Sequence, residues 1–241
     1  MNDETITEPA FTEEAEGREG PTHIVGIGAS AGGLEAIEAF FKAMPHDSGV
    51  AFVVIQHLSP DHKSLMAELL SKRTRMPVHR AEDGMIVEHN SVYLIPPNKN
   101  LRLFHGRIIL SEQDRDARGI NLPIDIFFRS LAEDQGAKAI AIVLSGTGSD
   151  GTSGIRAIKE ELGMAMVQVE ETAAFDGMPR SAIATGLVDY VLPPEEMPAQ
   201  LLSYLKHPFT AKNEYASTML TDEDGVTRIF ALLRENNKID F

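Results

Sequence analysis

Three side chains of the types needed for acyl transfer through a serine follow three separate apolar runs of the sequence. Ser30 follows HIVGIGA, His57 ends AFVVIQH, and Asp150 follows AIAIVLSGTGS. A serine hydroxyl is a weak nucleophile at neutral pH, and an imidazole, whose ordinary pKa is about 6.5, suits the role of its general base. A carboxylate on the second ring nitrogen holds the imidazole in the required tautomer. We therefore predict that Ser30 is a nucleophile, His57 its base and Asp150 the residue that orients His57.

Backbone donors near the same residues could stabilise the oxyanion that such a reaction forms. Glycine and alanine surround Ser30 in GASAGG, which allows a substrate to approach closely and leaves N–H groups at a helix start. A second turn of small residues, SGTGSDG, contains Asp150. The predicted oxyanion donors are the N–H groups of Ala31, Thr147 and Gly148, each of which would contribute roughly 10²–10³-fold in rate.

The elements that must position these residues alternate between short apolar strands and amphipathic helices. Nearly all-apolar strands separated by helices indicate a mainly parallel sheet covered on both faces. Ligands bind such sheets at the carboxyl ends of the strands, where the three residues are expected to meet. A His-Gly turn within LRLFHGRIIL predicts an antiparallel hairpin over 101–110. The predicted strands are His23–Gly28, Ala51–Gln56, Val92–Ile95, Ala139–Ser145, Met164–Val169 and Leu187–Leu192.

Apolar residues at helical spacing mark the intervening helices. Ser59-Pro60 is a typical helix start, with a capping serine before a proline at the first helical position. The two clearest apolar faces consist of Leu34, Ile37, Phe40 and Phe41, and of Leu65, Met66, Leu69 and Leu70.

Each of the three reactive residues also has a structural interpretation. Ser30 could be a turn or capping residue, and His57 a strand-end histidine with a backbone partner. Asp150 could cap the helix that begins near Gly151, even while it orients a histidine. The chemical hypothesis is favoured because all three fall at one edge of the predicted sheet.

Two other kinds of site compete for the same residues. Gly26, Gly28 and Gly32 form a loose variant of the dinucleotide-binding glycine pattern, but the second strand lacks the acid that would hold the ribose. A metal site would use His57, Asp61 and His62, which Pro60 prevents from sharing one helix or strand face. We expect neither a metal nor a cofactor.

Composition restricts the class of protein and its partners. The chain has 241 residues, no cysteine and a net charge of −14, so disulfides and thiolate chemistry are excluded, and nucleic acid or an anionic membrane is a poor partner. No run approaches the roughly 20 apolar residues of a membrane-spanning helix, and no signal peptide is evident. A cytoplasmic protein is the simplest expectation.

The chain divides into four predicted segments. Residues 1–21 are rich in acids and poor in apolar residues, which is typical of a disordered tail. Residues 22–206 form the strand–helix domain, 207–225 a polar linker, and 226–241 the start of a following domain.

Four motifs resemble, in order and spacing, the catalytic domain of the CheB chemotaxis protein-glutamate methylesterases: GIGASAGGLEA, VVIQHLSPDH, LSGTGSDGTSGIRAIK and FDGMPRSAIATGLVD. The resemblance covers about residues 22–206. It implies a doubly wound, mainly parallel α/β fold with an antiparallel edge hairpin. It also implies hydrolysis of glutamyl methyl esters on chemoreceptor cytoplasmic helices, with deamidation of receptor glutamines in some members. The family's catalytic serine, histidine and aspartate correspond to Ser30, His57 and Asp150.

The sequence departs from the family pattern in three places. Ala31 stands where many members have threonine, and Thr147 where methionine is common. The 21 residues before the first strand are too few for the phosphorylatable receiver domain of typical members, so we expect no inhibition by such a domain in cis. The segment TRIFALLRENNKIDF resembles the first helix of a CheR-type methyltransferase, which predicts a methylesterase–methyltransferase fusion. A regulatory or scaffolding module without catalysis is the alternative hypothesis.

Overall fold

The computed structural model describes residues 20–56, 65–113 and 121–206. Nine strands and six α-helices lie in these ranges. The strands are β1 Ile24–Ala29, β2 Ala51–Gln56, β3 Val78–Arg80, β4 Val92–Leu94, β5 Lys99–Phe104, β6 Arg107–Glu112, β7 Ala139–Val143, β8 Met164–Gln168 and β9 Tyr190–Leu192. The helices are α1 Gly33–Ala43, α2 Leu65–Ser71, α3 Pro123–Gln135, α4 Thr152–Glu160, α5 Gly177–Ile183 and α6 Met197–Lys206.

Seven strands form one parallel sheet in the order β3-β4-β2-β1-β7-β8-β9. From β1 the chain adds β2, β3 and β4 on one side, with β4 between β2 and the edge strand β3, and then returns to add β7, β8 and β9 on the other side. The order therefore reverses between β1 and β7, the place where doubly wound sheets bind their ligands. Gly28 of β1 pairs with Ile55 of β2 and with Val143 of β7, so the carboxyl ends of all three strands lie side by side.

Helices cover both faces of this sheet, as predicted from the alternation. Along β2, Phe52 and Val54 face a core that includes α1, α2 and α6. Ala51, Val53 and Ile55 face a second core with α3, α4 and α5. Strands buried on both faces explain why their sequences are continuously apolar rather than alternating.

The predicted hairpin is confirmed, and β5 and β6 form a separate two-stranded antiparallel sheet. Both residues of its turn, His105 and Gly106, have positive φ angles, 49° and 70°, as a type I′ hairpin turn requires. Leu101, Leu103 and Ile108 belong to the same buried core as α3, so the hairpin extends the layer of that helix.

The sequence pattern located the strands well and their ends less well. All six predicted strands are present, but Tyr190 begins the last one three residues later than expected. The Asp189 carboxylate binds Lys159 Nζ at 2.7 Å and the Ala165 N–H at 2.8 Å, which turns the chain just before the strand. The short edge strand β3 was not predicted, because VHR carries no apolar run.

Several predictions fall on residues outside the described ranges. These are the helix start at Ser59-Pro60, the histidine His57, most of the acidic segment 1–21, the linker 207–225 and the segment 226–241. Within the described ranges, no helix has the length and apolar content to cross a bilayer.

Candidate active site

Ser30 lies in the tight turn that joins β1 to α1 at the centre of the sheet. Its N–H donates to the carbonyl of Ser145 at 3.0 Å, and its own carbonyl accepts from the N–H of Gly33 at 3.0 Å. Gly32 follows with a φ of 67°, in the left-handed region, so the chain reverses and α1 begins at Gly33. The side chain of Ser30 is thus carried by a backbone fixed on both sides.

The turn after β7 approaches Ser30 as closely as glycine allows. A Cβ on Gly146 would lie 3.0 Å from Ser30 Cβ and would overlap Met178 Sδ. The Gly146 N–H donates to the carbonyl of Phe175 at 2.9 Å, and the Gly146 carbonyl accepts from Met178 N–H at 2.8 Å. Three segments, the turns after β1 and β7 and the loop before α5, therefore meet at Ser30.

Asp150 is buried, with 3% of its surface exposed. Its carboxylate accepts the N–H groups of Ile124 at 3.1 Å and Asp125 at 2.9 Å, in the first turn of α3. Asp150 therefore does cap a helix, as the sequence allowed. The helix it caps is α3, however, and not the adjacent α4, whose N-cap residue is Gly151. The negative charge is favourable there because the start of a helix carries a partial positive charge.

A second buried carboxylate, Asp125, lies beside Asp150. It accepts the N–H of Gly154 at 2.7 Å, so the two aspartates link the starts of α3 and α4. Burial raises the pKa of Asp125 above its ordinary value, and the nearby charge of Asp150 adds to that increase.

The predicted oxyanion donors lie on the two turns that meet at Ser30. Ala31 is half-buried, whereas Thr147 and Gly148 are exposed. Gly148 has a φ of 82°, and its carbonyl accepts the hydroxyl of Ser181 at 3.1 Å. In the part of the chain that the structure describes, no backbone carbonyl accepts from the N–H groups of these three residues. Their assignment as oxyanion donors stays a prediction.

The glycines that suggested a dinucleotide loop have other reasons to be glycine. Gly26 and Gly28 lie within β1, where α3 packs directly on the strand. A Cβ on Gly26 would lie 2.8 Å from atoms of Phe127 and Phe128, and one on Gly28 would lie 2.5 Å from Ile124 Cγ2. Close helix–sheet packing and the turn at Gly32 account for the glycine pattern without a phosphate.

His57 lies outside the described residues, so its predicted contact with Ser30 is not tested by the structure. The residue before it, Gln56, ends β2 and pairs with Ala29, the residue before Ser30. The metal alternative depends on the same segment, since Asp61 and His62 also lie outside the described ranges.

No role was predicted from the sequence for Ser145 or Phe175, although Phe175 begins the fourth of the motifs that resemble the family. Phe175 is 48% exposed, and its ring lies 3.2 Å from the place of a Cβ on Gly32, so an apolar surface borders the Ser30 turn. Its place in the sequence could have indicated this loop, because the loop follows the carboxyl end of β8 as the other two turns follow β1 and β7.

The strand–helix domain is similar to known proteins in both sequence and structure. A family profile described as CheB methylesterase matches residues 25–201. The crystal structure of the Thermotoga maritima CheB methylesterase catalytic domain superposes with a TM-score of 0.69 at 31% identity, covering 77% of this chain and 98% of that one.

Curated relatives show the same likeness over part of their length. The protein-glutamate methylesterase/protein-glutamine glutaminase 2 of Burkholderia lata is 34% identical over 78% of this chain and 56% of its own. An uncharacterized 104.1 kDa protein of Rhodobacter capsulatus is 46% identical over 58% of this chain but only 14% of its own. The chain thus spans about half the length of the curated methylesterase, and a small part of the larger protein.

Proposed function

This chain belongs to the CheB methylesterase family, and we propose that it hydrolyses methyl esters of glutamate side chains on chemoreceptor-type proteins through Ser30. The observation that carries the proposal is the position of Ser30, in a rigid turn at the β1–β7 switch point with two further segments against it. The names of the relatives, which include both methylesterase and glutaminase, support the ester substrate and suggest deamidation of glutamines as a second activity.

In the proposed reaction, Ser30 Oγ attacks the carbonyl carbon of the ester while His57 takes its proton. The tetrahedral oxyanion is stabilised by the N–H groups of Ala31 and of the Thr147–Gly148 turn. Collapse of this intermediate breaks the C–O bond to the methoxy group, which leaves as methanol with the proton from His57. Water then attacks the acyl-enzyme by the same steps and releases glutamate and Ser30.

Asp150 would orient His57 and stabilise its cation. Its two bonds to the start of α3 fix the carboxylate, so a histidine bound to it would be held in one place. This scheme uses no metal or cofactor.

The proposed setting is a cytoplasmic signalling protein that acts on methylated receptor helices. The Rhodobacter capsulatus relative supports the view that a domain of this type can be a small part of a longer polypeptide. We propose that a CheR-type methyltransferase follows this domain, as the segment 226–241 suggests.

The test is methanol release from a methylated receptor cytoplasmic fragment. Ser30→Ala should lower the rate by roughly 10³-fold or more, because the nucleophile is lost while the fold is kept. Ser111→Ala, which changes an exposed serine on β6, is the matched control and should leave the rate unchanged. Wild-type protein that binds the receptor fragment without releasing methanol would instead support the scaffolding alternative.

A further inference from the structure

Ser145 joins the three segments that meet at the candidate nucleophile. It is fully buried, two residues after the end of β7. Its hydroxyl donates to the carbonyl of Ala31 at 2.9 Å and accepts from the N–H of Phe175 at 3.0 Å. Its carbonyl accepts from the N–H of Ser30 at 3.0 Å, and its own N–H donates to Gln168 Oε1 at 2.8 Å. Every polar group of Ser145 is therefore used.

These hydrogen bonds lie on both sides of the peptide group that carries the first candidate oxyanion donor. The Ala31 N–H belongs to the peptide between Ser30 and Ala31. Ser145 holds the N–H of Ser30 on one side of that peptide and the carbonyl of Ala31 on the other. The carbonyl of the same peptide accepts from Gly33 N–H, so its plane is fixed and the direction of the Ala31 N–H with it.

The bond from Phe175 extends the same restraint to the opposite wall of the site. The carbonyl of Phe175 also accepts from the N–H of Gly146, whose own carbonyl accepts from Met178. The Ser145 hydroxyl thus sets the spacing between the Ser30 turn and the loop before α5. The packing here is tight, since a Cβ on Gly32 would lie 2.9 Å from Ser145 Oγ and 2.7 Å from Ala174 Cβ.

We propose that Ser145 is a positioning residue for the reaction at Ser30: its hydroxyl fixes the Ser30–Ala31 peptide relative to the Phe175 loop and so aims the nucleophile and the Ala31 N–H at one point. The proposal rests on the proposed function, because it needs Ser30 to be the nucleophile. Ser145 lies beneath the turn and is not required to touch the substrate.

Replacement of the hydroxyl should slow the chemical step more than it weakens substrate binding. Ser145→Ala leaves the Ala31 carbonyl and the Phe175 N–H without their shared partner, so the turn and the loop can shift by fractions of an ångström. Displacements of this kind lower kcat by about 10–100-fold. We expect KM for the methylated receptor fragment to change by less than about threefold, because the Ser145 hydroxyl positions the reacting groups and not the bound receptor. Ser145→Thr, which keeps the hydroxyl, should retain most of the wild-type kcat.

Ser130 provides a matched control for the loss of a buried serine hydroxyl. It is 7% exposed, accepts from the N–H of Leu103 at 3.0 Å and donates to the carbonyl of Phe127 at 2.8 Å. Ser130→Ala therefore removes the same two kinds of hydrogen bond, here between the hairpin and α3. It should reduce stability while kcat stays at the wild-type value.

The experiment measures kcat and KM for methanol release, and the rate at which a fluorophosphonate reagent modifies Ser30, each per mole of folded protein. The proposal predicts that both kcat and the modification rate fall in Ser145→Ala and not in Ser130→Ala. Equal losses in the two alanine variants, or in Ser145→Ala and Ser145→Thr, would overturn it. If the wild-type protein releases no methanol and its Ser30 is not modified, the proposed function itself is overturned. If the wild type is active and Ser145→Ala is equally active, only the role of Ser145 is overturned.

Discussion

At the scale of single residues, Asp150 is a candidate for two roles at once, capping a helix and orienting a histidine, as the sequence allowed. Its carboxylate caps α3 through the N–H groups of Ile124 and Asp125, and it is also the candidate partner of His57. A carboxylate has enough acceptor sites for both roles, because each oxygen carries two lone pairs. The structural and catalytic interpretations of Asp150 are therefore compatible.

This dual role predicts a combined loss in Asp150→Asn. The amide has one acceptor oxygen, so its NH₂ group would face one of the two α3 donors. We expect the free energy of unfolding, measured with urea, to fall by about 1–3 kcal/mol. Methanol release should fall by at least about 100-fold, because the wrong histidine tautomer becomes available.

Asp125→Asn separates the loss of stability from the loss of activity. Asp125 is also buried and also accepts a backbone N–H, from Gly154, but it has no assigned part in the reaction. Its variant should keep the wild-type rate of methanol release. If Asp150→Asn kept that rate too, Asp150 would have only its structural role.

The residue types and their order predicted that Ser30 and Asp150 follow parallel strands, and they do follow the neighbouring strands β1 and β7. Their catalytic roles stay predictions. Ser145 was not predictable in the same way. Buried serines are common, and only the folded chain shows that its hydroxyl joins Ala31 to Phe175, two residues far apart in the sequence.

At the scale of elements, the contact between β1 and α3 decides how close the helix comes to the sheet. A Cβ on Gly28 would lie 2.5 Å from Ile124 Cγ2, so alanine there would force the helix outward. Gly28→Ala should lower the free energy of unfolding by about 1–3 kcal/mol, as overpacking does. Since Ile124 also binds Asp150 through its N–H, the same shift should slow methanol release.

A double-mutant cycle tests whether the contact with Ile124 causes the loss of stability in Gly28→Ala. Ile124→Ala removes the side-chain atoms that a Cβ on Gly28 would meet, although it also opens a cavity. Gly28→Ala should therefore cost less stability in the Ile124→Ala background than in the wild type. Equal costs in both backgrounds would contradict the packing explanation for this glycine and reopen the dinucleotide alternative.

The apolar pattern of the sequence predicted deeply buried strands more accurately than exposed ones. β2 is buried on both faces, and its predicted bounds, Ala51–Gln56, are those observed. β3 lies at the sheet edge with half-buried or exposed residues, and it was missed. Hydrophobic periodicity reports burial, so it is weakest at the edges of the sheet.

At the scale of the whole molecule, His23 makes the stability of the fold depend on pH. Burial lowers the pKa of His23 below its ordinary value of 6.5, and the positive charge of Lys138 lowers it further. The unfolded chain thus binds a proton near pH 6.5 that the folded protein does not accept until the pH is lower. The contribution of this group to the free energy of unfolding must fall as the pH drops below 6.5.

His23→Phe removes this titration and keeps a ring against Tyr204, since the two ring centroids lie 6.3 Å apart in the wild type. Urea unfolding of both proteins should show a constant difference in stability above pH 7 and a change in favour of the variant as the pH falls towards 5. A difference that does not vary with pH would contradict a lowered pKa for His23.

The fold class was predictable from the strand–helix alternation together with the four motifs that resemble the family, although the edge strand β3 was not. Apolar strands separated by amphipathic helices predict a parallel sheet covered on both faces, and the family resemblance implies the doubly wound strand order that is observed. Within this fold, the proposed activity depends on Ser30 forming the acyl-enzyme. Its position at the switch point of the sheet is the structural reason to expect that it does.

The most direct test is to treat the wild-type protein with a fluorophosphonate reagent and to map the modified residue by peptide mass spectrometry. We predict a single adduct on Ser30, with methanol release lost in proportion to the modified fraction. Modification of another serine with the same loss of activity, or methanol release that persists when Ser30 is fully modified, would contradict the role of Ser30 as the nucleophile.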